Sequence, residues 1–176
     1  MSFLDYRQYP AIAPLVDRLV QHHARLRDEA VAGLDQFMPS PERYIMEEVG
    51  LYVLPARWQG ERVTQVLPGA GSATRLLGEL TDAPAVANAI YSMSIPGCEI
   101  VPHIDGDHAI GEVYRVHVGL DCPAGDCALI VDGERREWRT GEAFMFDSAR
   151  VEHSAHNRTN RCRMIAIVDF YRALAG

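Results

Sequence analysis

Several things are scarce in this sequence, and each scarcity removes a class of protein. Its 176 residues carry four cysteines (Cys98, Cys122, Cys127 and Cys162), with no two in a CxxC spacing. A small secreted fold stapled by disulfides needs more, so these are expected to be reduced buried or loop thiols of a cytoplasmic protein. Basic residues are outnumbered: 17 Lys and Arg stand against 24 Asp and Glu, a formal net charge of −7. Such a chain is expected to have no nucleic acid and no membrane as partner, although a local basic pocket for one small anion remains open. No apolar run approaches the ~20 residues of a membrane helix. Asp5 and Pro10 interrupt the N-terminal stretch where a signal peptide requires an unbroken apolar core. The sequence says nothing of oligomeric state.

What is present is ordinary in amount, at 48% hydrophobic and 23% charged, and long enough for one well-buried core. From Ile12 to Leu34 apolar residues recur at helical spacing, predicting one amphipathic helix or two short ones. Residues 38–61 read as irregular or short-strand structure. A Gly-rich turn then leads into a short helix near Ser72–Leu80. After Ala87 the texture changes, and strands are expected at Ala89–Ile95, Glu99–Ile104, Glu112–Leu120, Cys127–Val131, Glu142–Phe146, Val151–His156 and Arg163–Phe170. Turn signals such as PGC, DGD, PAGD, VDGE and RTGE separate them. Many short strands at this spacing mean a sandwich, a jelly roll or a barrel, here behind a helical N-terminal part of about 1–87.

The chemistry concentrates in VPHIDGDHAIGEVYRVHVGL, residues 101–120. Side chains two apart on a strand share a face. His103 and Asp105 can therefore converge on one point, as can Arg115 and His117 on theirs. In the last strand Arg163, Ile165, Ile167 and Asp169 share one face, and Met164, Ala166, Val168 and Phe170 the other. A His-x-Asp pair with a distant His153 supplies two imidazoles and one carboxylate, the facial set of non-haem Fe(II) oxygenases. Arg163, one strand later, suits bidentate pairing with a dicarboxylic co-substrate, and a charge on an inward face needs a partner. Plainer alternatives exist: a simple turn at Asp105-Gly106-Asp107, a satisfied core histidine at His117, a surface ion pair at Arg115. Asp107 and His108 are assigned to the turn, and His156 to a polar loop.

The stretches YSMSIPGCEIVPHIDG, YRVHVGLDCP, WRTGEAFMFDSARVEHSAHNRTNRCR and MIAIVDF together resemble the aspartyl/asparaginyl β-hydroxylase family of Fe(II)- and 2-oxoglutarate-dependent oxygenases. The likeness spans about residues 88–171. It implies a single oxygenase domain (1–176) that is mainly β with N-terminal helices, a double-stranded β-helix of jelly-roll, cupin-like type. It implies His103, Asp105 and His153 as iron ligands and catalytic centre, with 2-oxoglutarate and O2 as co-substrates. Arg163 would hold the distal carboxylate of 2-oxoglutarate, with Ser92, Arg115 and His117 also at that co-substrate. The implied reaction is hydroxylation of an unactivated C–H in an amino acid, free, carrier-bound or in a short peptide. Hydroxylation of a lipid acyl chain and a non-catalytic jelly-roll module that binds a metal or ligand are the alternatives. Arg57, Trp58, Arg62, Arg75 and Arg150 are candidates for anchoring a substrate carboxylate, and nothing in the sequence ranks them.

Overall fold

The computed structural model describes residues 2–42, 45–46, 50–63, 73–105 and 112–175. Asp107, His108 and the Gly-rich stretch up to Ser72 lie outside those residues.

The helical pattern over 12–34 resolves into α1 (Ala13–Gln21) and α2 (His23–Ala32), which meet at His22. Pro14 sits in the first turn of α1, where its missing N–H would have had no partner anyway. A third helix, α3 (Arg75–Leu80), is short, and no side chain of its own N-cap residue, Thr74, caps it. Glu29 of α2 does so instead. Its carboxylate accepts from the backbone N–H of Leu76 at 2.6 Å and of Leu77 at 3.1 Å, and from the Tyr91 hydroxyl at 2.6 Å. First-turn N–H groups have no intrahelical acceptor, so this one side chain joins α2, α3 and the sheet. Glu29→Ala should lower unfolding free energy by about 2–3 kcal/mol, because three partly buried donors are left unpaired. The urea midpoint reads this, and an unshifted midpoint would refute the role.

Among the described residues twelve strands occur in chain order: β1 (Phe3–Leu4), β2 (Met38–Pro39), β3 (Leu51–Trp58), β4 (Glu61–Arg62), β5 (Val86–Ser94), β6 (Cys98–His103), β7 (Val113–Asp121), β8 (Cys127–Val131), β9 (Glu134–Glu137), β10 (Ala143–Phe146), β11 (His153–Asn157) and β12 (Arg163–Tyr171). The larger sheet runs β1-β10-β7-β12-β5-β3-β2, with β4 paired to β3, and the smaller runs β6-β11-β8-β9. All named pairings are antiparallel. The two sheets form the expected jelly roll.

All seven expected strands are present, Cys127–Val131 with the same ends and the others with shifted ends. Two longer strands were not placed individually: β3, inside residues 38–61 that read as irregular or short-strand structure, and β9. β3 carries Pro55, a residue that argues against a strand interior, and its register with β5 shifts between Pro55 and Arg57. It also extends the large sheet into the part of the chain expected to be helical. β9 consists of Glu134, Arg135, Arg136 and Glu137, all exposed on a sheet edge, so it has no apolar alternation to reveal it.

One face of the large sheet packs on α1 and α2, burying Val16, Leu19, Leu26 and Ala30 against Val116, Val118, Ala166 and Val168. The other face looks into the jelly roll, where Leu129, Val131, Trp138, Phe146 and Ile165 form a second, smaller core. β12 alternates between the two as its sequence predicts, with Met164, Ala166, Val168 and Phe170 on the helix side. At Gly119 the backbone of Arg139 passes so close that an added Cβ would lie 2.1 Å from its carbonyl oxygen. Only glycine fits there. Among the described residues no helix is long and apolar enough to cross a membrane.

Candidate active site

His103 ends β6 and His153 begins β11, and the two are direct partners across the ladder. Between them and the next paired residues the register shifts: His103 to Ile100 spans three residues on β6, while His153 to Ala155 spans two on β11. Such a bulge re-aims a side chain, and here it brings the imidazole centroids to 4.3 Å. Asp105 follows β6 in a non-strand segment, buried, with its N–H donating to Ser148 O at 3.0 Å. Ile104 between them faces out, so the expected alternation continues past the end of the strand.

The tautomers follow from the partners. His103 Nδ1 lies 2.8 Å from Val101 O and His153 Nδ1 3.1 Å from Val151 O. A carbonyl only accepts, so in the neutral rings both Nδ1 atoms carry the hydrogen and both Nε2 atoms keep a lone pair. Those Nε2 atoms lie 3.5 and 3.7 Å from one oxygen, Asp105 Oδ1. The three ligand atoms all fall within 4.8 Å of one another. Two lone pairs and a carboxylate aimed at one point repel unless a cation sits among them, and two nitrogens with one oxygen suit a divalent transition metal. Burial pushes His153 down to about 4, so its imidazole is neutral near pH 7. Burial opposes charge on His103 too, but the Asp105 carboxylate outweighs it and the net shift is upward. Asp105 is buried against its charge, yet Arg115, then His103 and His153, hold it well below the usual carboxylate range.

Arg115 and His117 share the inner face of β7, as predicted, and Arg115 is held between two carboxylates. Its Nη1 lies 2.7 Å from Asp105 Oδ2. Its Nε and Nη2 donate to Asp169 at 2.7 and 3.1 Å, a bidentate pair between residues in register on β7 and β12. Asp169 also accepts from Asn88 Nδ2 at 2.9 Å, and Asn88 Oδ1 accepts from Gln59 N at 3.0 Å. The triad's carboxylate is thus tied through Arg115 to three strands of the large sheet.

A cavity of about 610 Å³ runs between the sheets, lined by His103, His153, Arg115, His117, Ser92 and Arg163 among others. At its inner end Arg163 is 3% exposed. Its Nη2 donates to Ser92 Oγ at 3.2 Å, and the guanidinium lies 4.4 Å above the Trp138 ring. Its Nε has no acceptor, and no carboxylate among the described residues pairs with it. The other groups in its field are the thiols of Cys98, Cys122 and Cys127. Burial pushes all three thiols up, Cys122 to about 12, so none of them supplies negative charge. Burial in turn lowers Arg163 itself. Trp138 Nε1 donates to His117 Nδ1 at 3.2 Å. The neutral His117 ring therefore carries its hydrogen on Nε2, which is also buried without an acceptor. Burial, then the charges of Arg115 and Arg163, hold that imidazole well below its ordinary value.

The arginines considered for substrate are bonded away from the cavity. Arg57 and Arg62 share Asp82, Arg150 binds Glu112 at 2.6 Å, and Arg75 lies beside Glu79 on α3. Only Trp58 of that group lines the cavity. His156, expected in a loop, is on β11 with Nε2 2.6 Å from Asp126. Sequence reasoning missed Trp138 and the role of Asp169. Asp169 was on the inward face with Arg163, where a charge needs a partner, so a signal existed. Trp138 follows an exposed charged strand and had none.

A family model described as aspartyl/asparaginyl beta-hydroxylase matches residues 20–173. The human aspartyl/asparaginyl beta-hydroxylase is 27% identical over 164 residues, covering 89% of this chain and 21% of that protein. The ornithine lipid ester-linked acyl 2-hydroxylase of Rhizobium tropici is 33% identical over 93 residues, 52% of this chain and 32% of that one. The chain thus spans about a fifth to a third of the length of these relatives. Among solved structures, a Pseudomonas putida prolyl-4-hydroxylase superposes with TM-score 0.53 at 19% identity, covering 91% of this chain and 87% of that one. A non-heme alpha ketoglutarate dependent epimerase from nogalamycin biosynthesis gives 0.58 at 14%, covering 85% and 71%. Both show the fold alone. The family match over most of the chain, read with the His103, Asp105 and His153 geometry, places this protein in the aspartyl/asparaginyl β-hydroxylase family.

Proposed function

We propose that this chain is an Fe(II)- and 2-oxoglutarate-dependent hydroxylase of an unactivated C–H in an amino acid, free, carrier-bound or within a peptide. The observation that carries the reading is the uncompensated charge at the inner end of the cavity. Arg163 and His117 offer N–H groups with no acceptor among the described residues, beside the Ser92 hydroxyl. Leaving such groups unmet costs roughly 1–3 kcal/mol each, more for a charge. A carboxylate there removes the cost, and a molecule with a second carboxylate can reach the triad from the same cavity. A metal-binding module without catalysis gives Arg163 no role. The partial match to an acyl 2-hydroxylase and the aliphatic residues in the wall favour a lipid acyl chain as the second reading.

His103, Asp105 and His153 would hold the metal, and three ligands on one side leave positions for a co-substrate. When bound, Fe(II) with 2-oxoglutarate supplies the activation of O2 that such a C–H requires. The chain's own contribution is positional. The Val101 and Val151 carbonyls fix which imidazole nitrogens point inward, and Arg115 keeps Asp105 ionised and oriented. Arg163 and His117 orient the distal carboxylate, while Leu129, Phe146 and Ile167 keep water from the inner end.

Under anaerobic conditions, Fe(II) and 2-oxoglutarate together should produce a charge-transfer absorption band. His153→Ala should abolish it. If 2-oxoglutarate causes no spectral change in the Fe(II)-loaded wild type, the oxygenase reading is wrong.

A further inference from the structure

With the triad and the Arg163 end assigned, the outer half of the cavity remains. Its wall is largely aliphatic, formed by Ile45 with Val53, Pro55 and Ile90 from β3 and β5. Trp58 stands at the mouth, 47% exposed. Neither Arg115 nor Arg163 serves this half. Arg115 is held by Asp105 and Asp169. Arg163 lies six residues from Asp169 along β12, about 20 Å of strand.

Glu42 is different. It lines the same cavity and lies within Coulombic reach of both His103 and Arg115. Its backbone N–H donates to Ser40 Oγ at 3.3 Å, which fixes the start of this wall, and among the described residues nothing pairs with its carboxylate. Asp105 and Asp169 both face Arg115, and Arg163 faces the inner end. Among the described residues of the lining, Glu42 is thus the carboxylate without a cationic partner, beside apolar walls.

We propose that the outer half of the cavity binds an aliphatic ammonium compound, with its chain against Val53, Pro55 and Ile90 and its cation at Glu42. This rests on the oxygenase reading for the assignment of the inner end. A substrate whose only charge is a carboxylate would meet like charge at Glu42, and a neutral one would offer it no cation. The site therefore discriminates by repulsion as well as attraction. An acidic side chain is the wrong complement for this pocket.

Three probes of one chain length separate these cases: n-pentylammonium, pentanamide and pentanoate. Each is titrated by NMR or calorimetry, under nitrogen, into protein loaded with Mn(II) and saturating 2-oxoglutarate. Pentylammonium should bind at least about tenfold more tightly than either of the others, the worth of one charge-assisted contact. Glu42→Gln should erase that preference, and Glu42→Lys should turn it toward pentanoate. Equal binding, preference for pentanoate, or no binding by pentylammonium overturns the proposal, as does a preference that survives Glu42→Gln. Binding of 2-oxoglutarate is measured in the same samples. If it does not bind, the oxygenase reading has failed, and the same titrations on Mn(II)-loaded protein without it still decide the pocket.

Discussion

Arg163→Met should raise the dissociation constant for 2-oxoglutarate by roughly 100-fold or more, the usual cost of truncating one side of a buried charge pair. The same substitution should leave the ligand-free protein no less stable than wild type. Arg163 is fully enclosed, and no anion among the described residues compensates it, so its charge is a burden until a carboxylate arrives. Two thermal scans make the test, one with and one without 2-oxoglutarate. Wild type should gain melting temperature with the ligand, because binding only to the native state stabilises it. The variant should start no lower and gain far less at the same ligand concentration. Arg163→Lys should fall between them, since it keeps the charge and loses the planar fork and the stacking on Trp138. A variant that melts early yet still responds to 2-oxoglutarate would show that Arg163 is structural.

Asp169→Ala should cost about 3–5 kcal/mol of unfolding free energy, the penalty for removing one partner of a buried ion pair. It removes the bidentate acceptor of Arg115 and strands the Asn88 amide, both inside the cavity wall. Urea unfolding of the metal-free protein measures it. A loss below about 1 kcal/mol would mean that Asp105 alone holds Arg115, within the range expected of an exposed pair. The comparison also locates the work of Arg115. Its position lies between a triad carboxylate and a strand 54 residues further along the chain.

The sequence by itself determined which side chains face inward. The alternation of β12 is covalent geometry, so Arg163 and Asp169 on one face and Met164, Ala166, Val168 and Phe170 on the other are legible without any partner strand. The spacing of His103 and Asp105 is local in the same way, and apolar periodicity was enough for the helices and for seven strands. The exposed edge strand β9 escaped, and the proline-bearing β3 was legible only as irregular or short-strand structure, because neither has the apolar alternation that betrays a strand.

Tertiary structure decided what each inward side chain meets. Arg115 sits opposite Asp169 only because β7 and β12 pair in that register, and His103 opposite His153 only through the bulge between β6 and β11. Trp138 reaches Arg163 and His117 from beyond an edge strand. Registers and bulges are fixed by long-range pairing and core packing, whose free energy belongs to the whole sheet. No single stretch carries them, so a face could be read from the sequence while its partner could not.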